Sequence, residues 1–300
     1  MTDSKHQSLS DQCFEASGLN LAELEHLAAV ARQAAEAGAE QLRMHFGRLQ
    51  QVREKGRAGD LVTEADEAAE RAVLAVLERE TPQVGVLAEE SGRRDSQNSA
   101  LEWCVDPLDG TTNYAHRYPF FGTSIGLTWK GQPLLGALAV PALHQLYWAA
   151  PQLGAWCNDS QISVSACNDL GQSLLVTGFA YDRHHRLDNN YAEFAWFTHR
   201  TRGVRRGGAA AVDLAFVADG RLDGYWERGL SPWDLAAGVV LVEQAGGVVC
   251  AYDGGPAVLA EGRLIACTPG LRQALIDGLG ACQPLSGASF GAPELDLAAP

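Results

Sequence analysis

The stretch Leu101-Glu102-Trp103-Cys104-Val105-Asp106-Pro107-Leu108-Asp109-Gly110-Thr111-Thr112-Asn113-Tyr114 decides how the rest of the chain is read. Its apolar run, Trp103-Cys104-Val105, predicts a strand that ends directly at Asp106, with a second acid three residues on. Strand ends on α/β sheets are common ligand positions. Two carboxylates around a tight turn can face one point. Neither ionises comfortably there without a cation, because like charges repel at short range. Hard oxygen donors select Mg²⁺, Mn²⁺ or Ca²⁺, and Mg²⁺ typically pairs a few carboxylates with substrate phosphate. Gly110 and Thr111 offer backbone N–H groups where a helix can begin, which suits a phosphate. The same residues also fit an Asx turn that merely closes the strand.

Upstream, Asn20 with Glu23 reads as a capping box, and Leu21, Leu24, Leu27, Ala28 and Val30 recur at helical spacing, so a helix is expected to about Phe46. Residues 48–62 read as a turn or short hairpin around Gly56 and Gly59. Thr63 opens a second helix to about Thr81, ended by Pro82. Val84–Ala88 is a short strand, followed by an acidic polar loop over 89–100. Downstream, 123–129, 134–140 and 144–149 form an antiparallel meander. The second half predicts strands at 174–177, 222–226, 247–251 and 263–267. Helices are expected at 189–200, from Gly207-Gly208 to about Ala218, from Ser231-Pro232 to about Ala245, and from Thr268-Pro269 to about Leu279. Residues 1–19 read as a polar, frayed segment and 283–300 as a loose tail. Strands and helices come in blocks. The expected architecture is therefore layered α+β/α/β, with an N-terminal half over 20–150 and a C-terminal half over 151–282.

Other acids compete with plain structural readings. Glu89-Glu90-Ser91 follows the strand 84–88, yet adjacent acids are usually solvated. Asp66 stands three residues after Thr63, and Asp234 three after Ser231, both at capping-box spacing. A helix-start acid can also sit beside a metal, and the two roles can coexist. Lys55 is a lone base in a polar loop. His184 and His185 have no partner at metal spacing. No GxGxxG, GxSxG or Walker pattern is present.

The net charge of −14 argues against holding a nucleic-acid backbone through Lys and Arg. Seven widely spaced Cys without a CxxC argue against a disulfide framework or zinc ribbon and point to reduced thiols in the cytoplasm. The N-terminus lacks a secretory or transit pattern, and no run of about 18 apolar residues exists to span a membrane.

Glu89-Glu90-Ser91, Asp106 to Tyr114 and Trp233-Asp234-Leu235-Ala236-Ala237-Gly238, in that order and spacing, resemble the inositol monophosphatase family. Asp60-Leu61-Val62-Thr63-Glu64-Ala65-Asp66 adds a fourth block, and the resemblance runs from about residue 22 to 281. It implies an α/β/α/β/α sandwich of the inositol monophosphatase and fructose-1,6-bisphosphatase type. It also implies a homodimer, two or three Mg²⁺ per active site, inhibition by lithium and hydrolysis of phosphate monoesters. By the same resemblance, Glu89, Asp106 and the Leu108 carbonyl hold the first Mg²⁺, while Asp106, Asp109 and Asp234 hold the second. Glu89 joins a third site through waters. Asp66 and Thr111 polarise the attacking water, and the Gly110 and Thr111 N–H groups bind phosphate. Asp109, Glu227 and the backbone at Ala210 contact the substrate. Lys55 takes the place of a mobile-loop lysine near the metals.

Thr112-Asn113-Tyr114 resembles the inositol branch, so inositol-1-phosphate is the expected substrate. Fructose-1,6-bisphosphate and galactose-1-phosphate stay open, because sugar contacts come from variable loops. One hydroxyl common in the family is missing from Gly207-Gly208-Ala209-Ala210-Ala211, and the loop 182–190 is this chain's own. A regulatory or binding protein on the same fold is the alternative from a different class.

Overall fold

The computed structural model describes residues 8–55, 60–95 and 100–285. Within them the chain forms eight α-helices: α1 (Leu9–Ser17), α2 (Leu21–His45), α3 (Glu64–Glu80), α4 (Thr111–Ala115), α5 (Tyr191–Arg200), α6 (Ala210–Ala218), α7 (Pro232–Gln244) and α8 (Arg272–Ala281). The strands of the first half are β1 (Val52–Glu54), β2 (Leu61–Thr63), β3 (Gly85–Ala88), β4 (Gly92–Arg94), β5 (Leu101–Asp109), β6 (Gly122–Trp129), β7 (Gln132–Val140) and β8 (Gln145–Ala150). Those that follow are β9 (Gly154–Cys157), β10 (Ser160–Gln161), β11 (Leu174–Thr177), β12 (Gly203–Arg205), β13 (Gly224–Arg228), β14 (Val248–Cys250) and β15 (Arg263–Cys267).

An eight-stranded sheet runs β10-β9-β8-β7-β6-β5-β3-β4, and a five-stranded sheet runs β12-β11-β13-β15-β14. In the large sheet only β3 and β5 pair in parallel. Helices α2 and α3 pack on each other, and α2 covers one face of the large sheet at β6 and β7. Helices α6 and α7 lie against its other face and also touch the small sheet, while α5 and α8 pack together beyond it. These are the five layers of an α/β/α/β/α sandwich, as the motifs imply.

Composition explains the stacking. The middle helices are Ala- and Val-rich and buried almost all round, as a layer between two sheets must be. Gly126 and Gly136 pair across β6 and β7 where α7 crosses. A Cβ on Gly126 would stand 2.4 Å from the Ala236 Cβ, and one on Gly136 would stand 2.4 Å from the Ala237 Cα. Only glycine lets the helix lie that close to the sheet.

The first helix corrects the reading of 1–19 as frayed; residues 1–7 lie outside the described part, but from Ser8 the chain is helical. Ser8 caps α1 by accepting the Asp11 N–H at 3.1 Å. Cys13 and Phe14 bury into the α2–sheet core. The Glu243 carboxylate accepts the Leu9 and Ser10 N–H groups at 3.2 and 3.0 Å. Two buried apolar residues in nine leave too weak a periodic signal, and the Glu243 contact is more than 230 residues away in sequence. The expected loop 89–100 also contains a strand, β4, which turns back along β3. The 48–62 hairpin forms between β1 and β2, with Gly56 and Gly59 outside the described residues. Most of the expected tail, from 286, lies outside them too. Among the described residues no helix is long and apolar enough to cross a membrane, and all seven cysteines are free thiols.

Candidate active site

The strand read as ending at Asp106 continues to Asp109. Pairing with β6 passes from Asp106↔Ser124 to Asp109↔Gly122, three steps on one strand against two on the other. Pro107 has no N–H to give the ladder, and the Leu108 N–H turns back onto Asp106 Oδ1 at 3.0 Å. This bulge brings both acids to one cavity. Gly110 follows at φ +90°, and a Cβ there would meet the Phe120 carbonyl at 3.0 Å and the Ala209 Cβ at 3.1 Å. The short α4 starts immediately after it.

Three site acids sit at helix N-termini. Asp66 closes the capping box of α3: its Oδ2 accepts the Thr63 N–H at 2.8 Å and hydroxyl at 2.6 Å. Its Oδ1 lies 3.2 Å from Thr111 Oγ1, which is also 3.0 Å from the Leu108 carbonyl. Asp234 closes the box of α7, its Oδ2 accepting the Ser231 N–H at 2.6 Å. Both boxes read from the sequence are real, and the same carboxylates lie at or behind the cavity: Asp234 lines it and Asp66 stands behind Thr111.

Asp109 does the third job, which no local pattern announced. It accepts the Ala210, Ala211 and Val212 N–H groups at 3.0, 2.8 and 3.3 Å, supplying from β5 the cap that α6 lacks in its own sequence. The positive ends of three helix dipoles thus converge on the acids.

The cavity is about 380 Å³. Glu89, Asp106, Leu108, Asp109, Gly110, Thr111, Ala210, Glu227 and Asp234 all line it, as expected from the sequence. Asp66 is fully buried behind Thr111. Lys55 Nζ donates to Glu89 Oε1 at 2.8 Å and also bonds Glu90. The Glu90 backbone N–H is held by Glu70 at 3.0 Å. His184 and His185 are exposed and do not line the cavity. Sequence reasoning missed Asp60, Phe179, Tyr181, Arg183 and Arg206, which do. Asp60 opens the fourth motif block but was given no role there, and the other four come from loops with no motif of their own.

Electrostatics mark the floor. Burial pushes the Asp66 carboxyl up to about 6, against the Thr63 hydrogen bonds. Burial pushes Asp109 up to about 7, against three N–H donors. Burial, then the charge of Glu89, takes Asp234 to about 8. Asp106 is raised well above the carboxylate range by burial and then by Glu89, Asp109 and Asp234. Glu227 rises to about 7 by burial. Lys55 shifts the other way in effect: burial favours its neutral form, but the charge of Glu89 and its bonds to Glu89 and Glu90 outweigh that and raise it.

These groups fit a hard divalent cation. Burial and the neighbouring charges of Glu89 and of the other acids disfavour ionisation of Asp106 and Asp234. Among the described residues no three acidic, His or Cys side chains are closed into a ready cage. The donor set is nevertheless all oxygen, buried or half-buried, and mutually repelling once ionised, which is the chemistry that Mg²⁺ relieves.

Fold and site together define a phosphatase. A model of the inositol monophosphatase family matches residues 23–282. The chain is 50% identical over 252 residues to an inositol-1-monophosphatase of Synechocystis, covering 84% of this chain and 88% of that one. It is 38% identical over 244 residues to a Pseudomonas aeruginosa protein named Nus factor SuhB, covering 79% and 89%. The solved inositol monophosphatase of Anabaena superposes with a TM-score of 0.80 at 46% identity, covering 88% of this chain and 98% of that one. The chain belongs to the inositol monophosphatase family.

Proposed function

We propose that this phosphatase hydrolyses inositol-1-phosphate to inositol and phosphate with Mg²⁺. The observation that carries the reading is the acid floor of Glu89, Asp106, Asp109 and Asp234, which face one cavity, Asp106 and Asp109 buried and Glu89 and Asp234 half-buried. Glu89, Asp106 and the Leu108 carbonyl would hold one ion, and Asp106, Asp109 and Asp234 a second; Glu89 would reach a third through waters. When bound, Mg²⁺ supplies charge neutralisation of the ester dianion and acidification of water.

The chain's own groups do the rest. Thr111 and Asp66 form a relay: the hydroxyl orients the attacking water, and Asp66 Oδ1 receives a proton through it. The N–H groups of Gly110 and Thr111 cradle the phosphate oxygens. Glu227 accepts hydroxyls of the polyol, and the Ala210 backbone closes on the ring. Lys55 neutralises Glu89 and Glu90 at the edge of the site. A homodimer, a cytoplasmic location, inhibition by lithium, and no nucleic-acid or membrane partner belong to the same reading, as does the division into halves near residue 150.

The 50% identical relative named for inositol-1-phosphate chemistry supports this substrate. A relative named Nus factor favours a second reading, a regulatory protein on this fold. The complete acid set favours catalysis. The test is phosphate release from inositol-1-phosphate, galactose-1-phosphate, fructose-1,6-bisphosphate, adenosine 3′,5′-bisphosphate and histidinol phosphate, each with Mg²⁺ and with chelator. Inositol-1-phosphate should be preferred, and only with Mg²⁺. A preference for another ester moves the substrate, and no release from any favours the regulatory reading.

A further inference from the structure

Glu227 stands on β13 with its carboxylate enclosed from two sides. The Tyr225 hydroxyl, two residues earlier on the same face of the strand, donates to Glu227 Oε2 at 2.8 Å, and Tyr225 is fully buried. On the other side lies Gly178. A Cβ there would fall 2.0 Å from Oε1 and 2.1 Å from Oε2, so the carboxylate rests directly on the glycine backbone. Among the described residues nothing donates to Oε1.

Asn190 ties both sides together. Its side-chain amide donates to the Gly178 carbonyl at 2.6 Å and to Thr177 Oγ1 at 2.8 Å, and accepts the Trp226 indole N–H at 2.6 Å. Asn190 is buried at φ +67°, at the end of the loop 182–190. Both arms of that loop are held by the residue after Glu227: Arg228 pairs with Asp182 at 2.9 Å and with Asp188 at 3.4 Å. The loop 182–190 is therefore fastened to the residues flanking Glu227.

We propose that Tyr225 and Gly178 are positioning residues that commit one oxygen of Glu227 to the protein and leave Oε1 alone for a single substrate hydroxyl, which makes this wall select polyol monoesters over simple phosphate esters. The proposal rests on the reading of Glu227 as the hydroxyl acceptor. A carboxylate free to turn offers several acceptor directions and discriminates weakly. One pinned on a phenol and a glycine offers one, and a ligand without the matching hydroxyl leaves it unpaired.

The experiment compares kcat and KM for inositol-1-phosphate and for phenyl phosphate, in wild type, Tyr225→Phe, Glu227→Gln and the double variant, at saturating Mg²⁺. Circular dichroism checks each fold. Tyr225→Phe should lower the ratio of kcat/KM for the two esters about tenfold, mostly through KM for the polyol ester. The double variant should be no worse than Glu227→Gln alone, because both changes act on one contact. Equal loss on both esters for Tyr225→Phe, or losses that multiply in the double variant, would overturn the proposal. Should Tyr225→Phe not fold, Gly178→Ala asks the same question by displacing the carboxylate, with the same expected ratio. If Glu227→Gln lowers the ratio but neither positioning variant does, only this proposal falls. If Glu227→Gln leaves the ratio unchanged, the reading of Glu227 falls and takes the proposal with it.

Discussion

The floor of the cavity and its far wall are built by opposite strategies. On the floor, Asp109 and Asp234 each close a helix N-terminus and also line the cavity, while Asp66, behind Thr111, closes a third. Their positions are fixed by the start of α3, α6 and α7, so the chemistry is as rigid as the layers that carry those helices. The wall, from Gly178 through the loop 182–190 to Glu227, holds its one buried acid by contacts among Tyr225, Asn190 and Arg228. A floor that doubles as helix caps cannot vary without a cost in stability. A wall held by loop contacts can change its substrate while the floor stays the same.

The largest effect should come from the floor. Asp106→Asn should cut turnover on the order of a thousandfold with every ester, while the fold survives; steady-state phosphate release checks it. A loss confined to inositol-1-phosphate would place Asp106 with the wall.

Next comes the link between pH, metal and stability. The unfolded chain's aspartates ionise near about 4, whereas Asp109 and Asp234 hold their protons in the folded chain to about 7 and 8. Between those values the unfolded state binds fewer protons, so metal-free stability should fall as pH rises from about 4 to 8 and then level off. Mg²⁺ needs the ionised form. At fixed Mg²⁺ its stabilisation should therefore grow over the same range, reaching about 2–3 kcal/mol near a hundredfold excess over Kd. Melting curves with Mg²⁺ and with EDTA at pH 5 and 8 decide it. An equal Mg²⁺ effect at both would contradict the raised carboxyls of Asp109 and Asp234.

Thr63→Ala should cost about 1 kcal/mol of stability, because Asp66 and Thr63 cap α3 reciprocally. It should also slow turnover, because Oδ2 of Asp66 loses the hydroxyl that fixes it. Chemical denaturation and kinetics on the same sample test whether cap and site are one device. The smallest change is at Lys55. Removing its ammonium with Lys55→Met should shift apparent Mg²⁺ affinity by about 1 kcal/mol, roughly fivefold, toward tighter binding, because Lys55 competes for Glu89. Weaker binding would instead make Lys55 a support for the ion.

The floor was legible in the sequence because its residues lie in short motifs: Thr63 to Asp66, Glu89-Glu90, Asp106 to Thr111, Ser231 to Asp234. Each is a local event, a strand end or helix start, and the capping readings hold. The layered fold followed from the block order of strands and helices. Other features were not legible because they are long-range. Asp109 caps a helix about a hundred residues away, Glu243 caps α1 from more than 230 residues on, and Arg206 and Tyr181 reach the cavity from loops. The bulge between Asp106 and Asp109 was hidden because it depends on register with β6.

The most direct test of the floor is phosphate release from inositol-1-phosphate by wild type and Asp106→Asn, run side by side with Mg²⁺ and with EDTA. Release should require both the carboxylate and Mg²⁺, with the other three reactions near background. Release by wild type in EDTA, or by Asp106→Asn at the wild-type rate, would contradict the assignment of the acid floor as the catalytic metal site.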